Sequence, residues 1–215
     1  MFTKRDPVHE TKEEGHKPKE EGHKPKDIVT DSDDERKTGG WRFFLWWMLA
    51  FLGFPLGGFL ALVVVGSVEG VVTGALGGAL AGAVIGAAQW LVLRRYLRVG
   101  AEWIAATALG VAIGDGLGAL LTGAGTGLGP LLMTGLATGV AVGLLQWGLA
   151  LRTSLPLASL WPPVIAIAWP VGWTVTWAAG IDVERGYYAF GASGALVFAA
   201  ITGLVMLLML RGRTR

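Results

Sequence analysis

The sequence predicts an all-α membrane protein. Six transmembrane helices, arranged as three tandem two-helix repeats of about 57 residues, follow a disordered N-terminal tail. Three observations predict it: segregated charge, apolar runs of membrane-spanning length, and a motif that recurs at near-constant spacing. Residues 1–40 carry nine Lys/Arg, eleven Asp/Glu and all three His, whereas the other 175 residues carry nine Arg, no Lys and five acidic residues. Glycine, at 34 of 215 residues, is about twice its usual share of about 7%. A soluble domain with so little charge and so much glycine is excluded, and the chain divides into a polar tail (1–40) and a transmembrane domain (41–215).

The tail contains a perfect duplicated heptad, EEGHKPK EEGHKPK, at residues 13–26, then DIVTDSDDERKTGG. It has almost no apolar surface to offset chain entropy, and Pro18 and Pro25 interrupt any helix, so disorder is expected. Its charges interleave and sum to −2, which excludes a basic arm for nucleic acid. Seven-residue spacing in a flexible chain sets no metal geometry for His9, His16 and His23, so no metal is expected. Thr30 and Ser32, in an acidic run, are possible phosphorylation sites. The first apolar run begins only at Trp41, unlike a secretory signal, so the tail is expected to stay on the side where it is made. There it is a candidate segment for binding a cytoplasmic protein partner.

From Trp41 onward, apolar runs of about twenty residues, each enough to cross about 30 Å of hydrocarbon, alternate with short polar breaks. They lie at 42–65, 70–93, 101–122, 130–151, 157–178 and 188–210. Pro55, Pro162, Pro163 and Pro170 are expected to kink the spans or bend them back. With six spans, Arg36, Lys37, Arg42, Arg94, Arg95, Arg98, Arg152, Arg211, Arg213 and Arg215 fall on one side. The other receives Arg185, Asp182, Glu184 and Glu69. Positive residues mark the cytoplasmic side, so both termini are expected there.

The repeat is read from spacing. Trp46, Gly53 and Gly57 match Trp103, Gly110 and Gly114, and then Trp161, Ala168 and Gly172. This sets units at approximately 42–98, 99–156 and 157–211. Each second helix carries a small-residue row. The rows are Gly70, Gly74, Gly78, Gly82 and Gly86; then Gly135, Gly139 and Gly143; then Gly191, Ala195, Ala199 and Gly203. GAAQWLVLRR, GLLQWGLALR and a degenerate GLVMLLMLR follow the rows. Four-residue spacing puts each row on one helix face, where backbones approach closely. The rows are expected to pack against the hairpin partner or around a threefold centre, as packing surfaces or as tracks for a gate. Most tryptophans, Trp90 and Trp147 among them, are expected at the headgroup level.

Three polar residues stand out as a candidate intramembrane site. Gln89 and Gln146 lie about 7–9 Å below the cytoplasmic surface, as interhelical glue or as a polar ring that Met206 would leave open. Asp115, an ionisable residue inside an apolar span, is a functional-site hypothesis by default. Its repeat equivalents are Gly58 and Trp173, and Thr122 or Thr126 are its expected partners. Gly114, Gly116 and Gly118 leave room beside it.

Gly191-Ala192-Ser193-Gly194 resembles the GxSG motif of rhomboid proteases, but that family needs a helix histidine and every histidine here lies in the tail. No catalytic residues and no cofactor are expected. Three two-helix units are similar in helix count to mitochondrial carriers, whose Pro-x-Asp/Glu-x-x-Lys/Arg signature is missing. The GxxxGxxQWLVLRR unit, followed by Trp and another Gly helix, resembles a group of uncharacterised bacterial polytopic membrane proteins with a GxxxGxxQWLxLR repeat. The resemblance covers most of 41–211 and implies a bacterial plasma (inner) membrane, with no activity. The expected role is a non-catalytic scaffold or interaction module in the lipid bilayer, with self-association into a homo-oligomer among its expected partnerships. The alternative is a small channel or transporter for an ion or small solute, with Asp115, as a proton or cation site, and Gln89 and Gln146 lining its path.

Overall fold

The computed structural model describes residues 28–180 and 192–213, with backbone alone over 28–38. The histidines, most of the tail, the Asp182–Arg185 group and Gly191 lie outside the described residues, as do the side chains of Thr30, Ser32, Arg36 and Lys37. The described chain is helical, without strands. Six rods run back and forth. The first comprises α1 (Ile28–Leu49), a 3₁₀ turn (Ala50–Leu52) and α2 (Gly53–Val65). Then come α3 (Val71–Leu93), α4 (Glu102–Thr122) and α5 (Leu128–Gln146), the last extended by a π turn over Trp147–Leu151. A 3₁₀ turn (Ala158–Leu160) leads into α6 (Trp161–Ala178), and α7 (Ala192–Gly212) ends the described chain. Because α1 begins at Ile28, helical backbone occupies residues 28–40, which the sequence assigned to a disordered tail.

Five of the rods are long and apolar enough to cross a membrane: Gly39–Val65, Val71–Leu93, Glu102–Thr122, Leu128–Leu151 and Ala192–Gly212. The 18-residue α6 falls short on composition, because four tryptophans, three prolines and two threonines dilute its aliphatic residues. Their outer faces suit a hydrocarbon solvent. Val63, Leu120, Ile167 and Leu208 are all more than 60% exposed, an arrangement that would be unfavourable in water.

The prolines act locally, and none forms a re-entrant bend. Pro162 and Pro163 occupy the first turn of α6, where no intrahelical N–H is needed. Pro170 lies inside α6, and the Thr174 hydroxyl donates to its carbonyl at 2.9 Å. Pro55 cannot donate to the Phe51 carbonyl and its ring crowds that group. The chain answers by tightening into the 3₁₀ turn at Ala50–Leu52.

The rods form a ring in which each packs on its neighbours in sequence, and α7 closes onto α1. The loops at 94–101 and 152–160 lie with the Gly40 turn of α1 and the Arg211 end of α7. Gly40 sits beside the Arg211 guanidinium, Phe43 meets Tyr96 edge-on at 5.1 Å, and Gly212 lies beside Pro156. This is the arginine end. The turns at 66–70 and 123–127 lie at the other. There Gly123 takes a left-handed conformation (φ 61°) that ends α4, a residue choice that avoids Cβ strain.

Candidate functional site

The glycine rows set the spacing of the ring. A Cβ on Gly78 would lie 2.8 Å from the Val111 carbonyl oxygen, and one on Gly82 would lie 2.8 Å from that of Thr107. Gly74 abuts the Asp115 carbonyl and Gly86 the Thr107 side chain. The α3 row therefore faces α4. Likewise Gly135, Gly139 and Gly143 face Pro170, Ile165 and Pro162 of α6, and Gly203 faces Trp47 and Phe44 of α1. This corrects the expectation for the rows: each packs on the rod that follows it, neither on its hairpin partner nor on the central axis. The first, third and fifth rods supply the contacts within hairpins. Gly53 and Gly57 meet α3, Gly110 and Gly114 meet α5, and Gly172 meets Gly194 of α7.

At the arginine end three indoles fill the axis. Trp47, Trp103 and Trp161 are each 1% exposed or less. Trp161 meets Trp47 at 6.4 Å and Trp103 at 6.0 Å between ring centroids. Each indole N–H donates to a side chain on a neighbouring rod. Trp103 Nε1 donates to Gln89 Oε1 (3.2 Å), Trp161 Nε1 to Gln146 Oε1 (2.8 Å) and Trp47 Nε1 to Thr202 Oγ1 (3.1 Å). Gln146 Nε2 donates in turn to Thr107 Oγ1 (2.9 Å), whose hydroxyl donates to the Trp103 carbonyl (2.8 Å). Thr202 likewise donates to the Phe198 carbonyl at 2.7 Å. Buried N–H groups at this level would each be costly if unpaired, and the two glutamines and one threonine pair all three.

Several sequence expectations change here. Trp46 is 42% exposed and lies under Arg95 (5.0 Å), so Trp47 holds the inward position. Trp47, Trp103, Trp161 and Trp169 are core residues; the headgroup-level reading fails for these four. Trp90 does sit at the arginine end, where its N–H donates to the Val99 carbonyl (3.1 Å) and Arg94 lies over its ring. Met206 is buried, and the acceptor that serves the third rod pair is Thr202, one helical turn before it. A search for polar residues i±4 from the unmatched position would have found it.

Outward of the indoles lies a second aromatic layer. Phe54, Trp169 and Phe198 contact one another pairwise at 5.1–5.9 Å. Beyond this floor a cavity of about 470 Å³ reaches the turns at 66–68 and 124–126. It exists because α7 packs on α1 and the 3₁₀ turn but only slightly on α2, so the ring is tight at the arginine end and wedge-shaped at the other.

Asp115 lines this cavity, as do its repeat equivalents Gly58 and Trp173. Its Oδ1 accepts from the Thr138 hydroxyl of α5 at 2.9 Å, a partner the sequence did not single out. Thr122 instead donates to the Gly118 carbonyl at 2.7 Å. Gly114 and Gly118 bring α4 directly against Thr138 and Thr134, and Gly116 lies against Ala75 of α3. Those glycines thus seat helices on both sides of Asp115.

The three candidate residues do not share one site. Gln89 and Gln146 sit at the Trp103 level, whereas Asp115 is twelve residues farther along α4, about 18 Å at 1.5 Å per residue. No group of three or more His, Cys, Asp or Glu that could hold a metal ion occurs among the described residues. Comparisons with known protein families, curated proteins and solved structures give no match.

Proposed function

We propose that the chain is a non-catalytic, non-conducting module of the bacterial plasma membrane. In this reading three ancestral two-helix units, six spans in all, are closed into a glycine-packed ring that acts as a scaffold. Both termini are cytoplasmic, and the tail is the segment that engages a partner protein. The observation that carries it is the indole layer. The axis at the arginine end is occupied by three interlocked rings whose N–H groups are all bonded to neighbouring rods. A solute path would need that level to be wet or movable, and opening it would leave three indole donors and two amides without partners.

Local geometry supports the triplication. Three 3₁₀ residues at about 2.0 Å each rise about 6 Å, as four α-helical residues do at about 1.5 Å. The 3₁₀ turn thus lets Trp47, six residues before Gly53, take the level that Trp103 holds seven residues before Gly110. The π turn makes the opposite adjustment. Gln146 is 15 residues from its indole where Gln89 is 14 from its own. The i→i−5 bond from Arg152 N to the Trp147 carbonyl (2.9 Å) absorbs the extra residue.

The test is flux. Vesicles reconstituted with the full chain are expected to pass K⁺, Na⁺ and H⁺ no faster than empty ones. Saturable flux that Asp115→Asn removes would overturn the scaffold reading in favour of a transporter. Orientation is checked in the cysteine-free chain with single substitutions. Arg98→Cys and Ser154→Cys should react with impermeant reagents from the cytoplasmic face, and Ser67→Cys from the other.

A further inference from the structure

We propose that the outer cavity is a binding site for an organic monocation with an apolar body, the class of a hydrophobic amine, and that Asp115 is its counter-ion. The proposal goes beyond the scaffold reading and does not depend on it. At about 470 Å³ the cavity is of a size usual for small-molecule sites. Its wall has the composition of such sites: aromatic and aliphatic surface with a few polar groups that set orientation. The floor is the Phe54–Trp169–Phe198 cluster, and Trp173 adds a further aromatic wall.

The sign of the ligand follows from charge. Among the described residues lining the cavity Asp115 is the one ionisable side chain, and none of them is Lys, Arg or His. A carboxylate has about four acceptor positions, and the Thr138 hydroxyl bonds one oxygen without offsetting the charge. In surroundings of low polarity an uncompensated carboxylate is costly. A bound ammonium removes that cost, and aromatic faces add a second, weaker attraction for cations. Anionic lipid headgroups and carboxylate ligands are disfavoured by the same charge. The apolar requirement follows from the floor, which offers no hydrogen-bonding partners to a strongly hydrated inorganic cation. The wedge between α2 and α7 gives a lateral route from the half of the bilayer away from the arginine end.

The experiment is calorimetric titration of the full chain in lipid nanodiscs, with empty nanodiscs subtracted. The probes are 4-phenylbutylammonium and its uncharged counterpart 4-phenylbutan-1-ol. Saturable binding of the ammonium, at least tenfold tighter than the alcohol, is expected. Asp115→Asn should abolish that preference while leaving the alcohol's affinity unchanged. Gly58→Leu should weaken both probes, because Gly58 lines the cavity and a Cβ there meets no atom within 4 Å. Absence of saturable ammonium binding, equal affinity for the two probes, or an unaltered preference in Asp115→Asn overturns the proposal. The comparison of the two probes on the parent chain decides the matter even where a variant fails to fold.

Discussion

Gln146→Leu removes the acceptor of a buried indole while keeping side-chain volume nearly constant. In the parent, Gln146 accepts from Trp161 Nε1 at 2.8 Å and donates to Thr107 Oγ1 at 2.9 Å. The Thr107 hydroxyl still has the Trp103 carbonyl to donate to, so losing the amide donor strands nothing there. The stranded group is the Trp161 N–H, on a ring that is 1% exposed. Orphaning a buried donor costs about 1–3 kcal/mol. Interhelical bonds inside membrane proteins average nearer 0.6, with a maximum of about 1.7. The expected loss is therefore about 1–2 kcal/mol, read as a shift in equilibrium unfolding in mixed micelles. Because the cost is that of an unpaired donor, Trp161→Phe in the same chain should recover part of it, with a coupling energy of about 0.5–1.5 kcal/mol in the double-mutant cycle. Stability of Gln146→Leu within about 0.3 kcal/mol of the parent, or strict additivity with Trp161→Phe, would refute the account of this layer.

Two further pairs test the ring. Gly82→Ala should destabilise by about 1–3 kcal/mol, the range for overpacking, because its Cβ would lie 2.8 Å from a backbone oxygen of α4. Gly77→Ala, whose nearest contact would be 3.8 Å away, should stay within about 0.5 kcal/mol, and the same unfolding assay compares the two. Trp47→Phe should cost about 1–2 kcal/mol through lost volume and the lost bond to Thr202, whereas Trp46→Phe on the exposed face should be near neutral. If the two tryptophans prove equivalent, the inward assignment of Trp47 is wrong.

What could be read from the sequence was what the bilayer itself constrains. A hydrocarbon thickness of about 30 Å sets the length of apolar runs, so the ends of the five qualifying rods fall within about four residues of expectation. Four-residue spacing of Gly78, Gly82 and Gly86 shows that they share a face, and Asp115 announces itself by its cost. Periodicity does not say which neighbour a face meets, and so neither the hairpin partner nor a threefold centre, the two expectations for the row on α3, is the α4 surface that it meets. The Trp46 alignment failed for a similar reason: counting along the chain assumes one helix geometry, and Pro55 changes it. The Thr138 bond to Asp115 and the Thr202 bond to Trp47 span 23 and 155 residues, separations that local patterns do not reach.

The contrast between a sealed end and a hollow end follows from side-chain volume at matched levels of one ring. At the arginine end the matched positions are Trp47, Trp103 and Trp161, three of the largest side chains available, and they interlock with nothing left over. Twelve residues on, by the spacing from Trp46, Trp103 and Trp161, the matched positions are Gly58, Asp115 and Trp173. Two of these are small, so equal helix spacing leaves space there, and the slight contact between α2 and α7 widens it. Filling that level should therefore seal the second end as tryptophan seals the first. Asp115, set deep in an apolar span, lines the level that is left open, and the paired amides sit at the level that is filled. A single ring of helices thus carries a structural layer and a candidate binding layer, separated by about two-thirds of a membrane span.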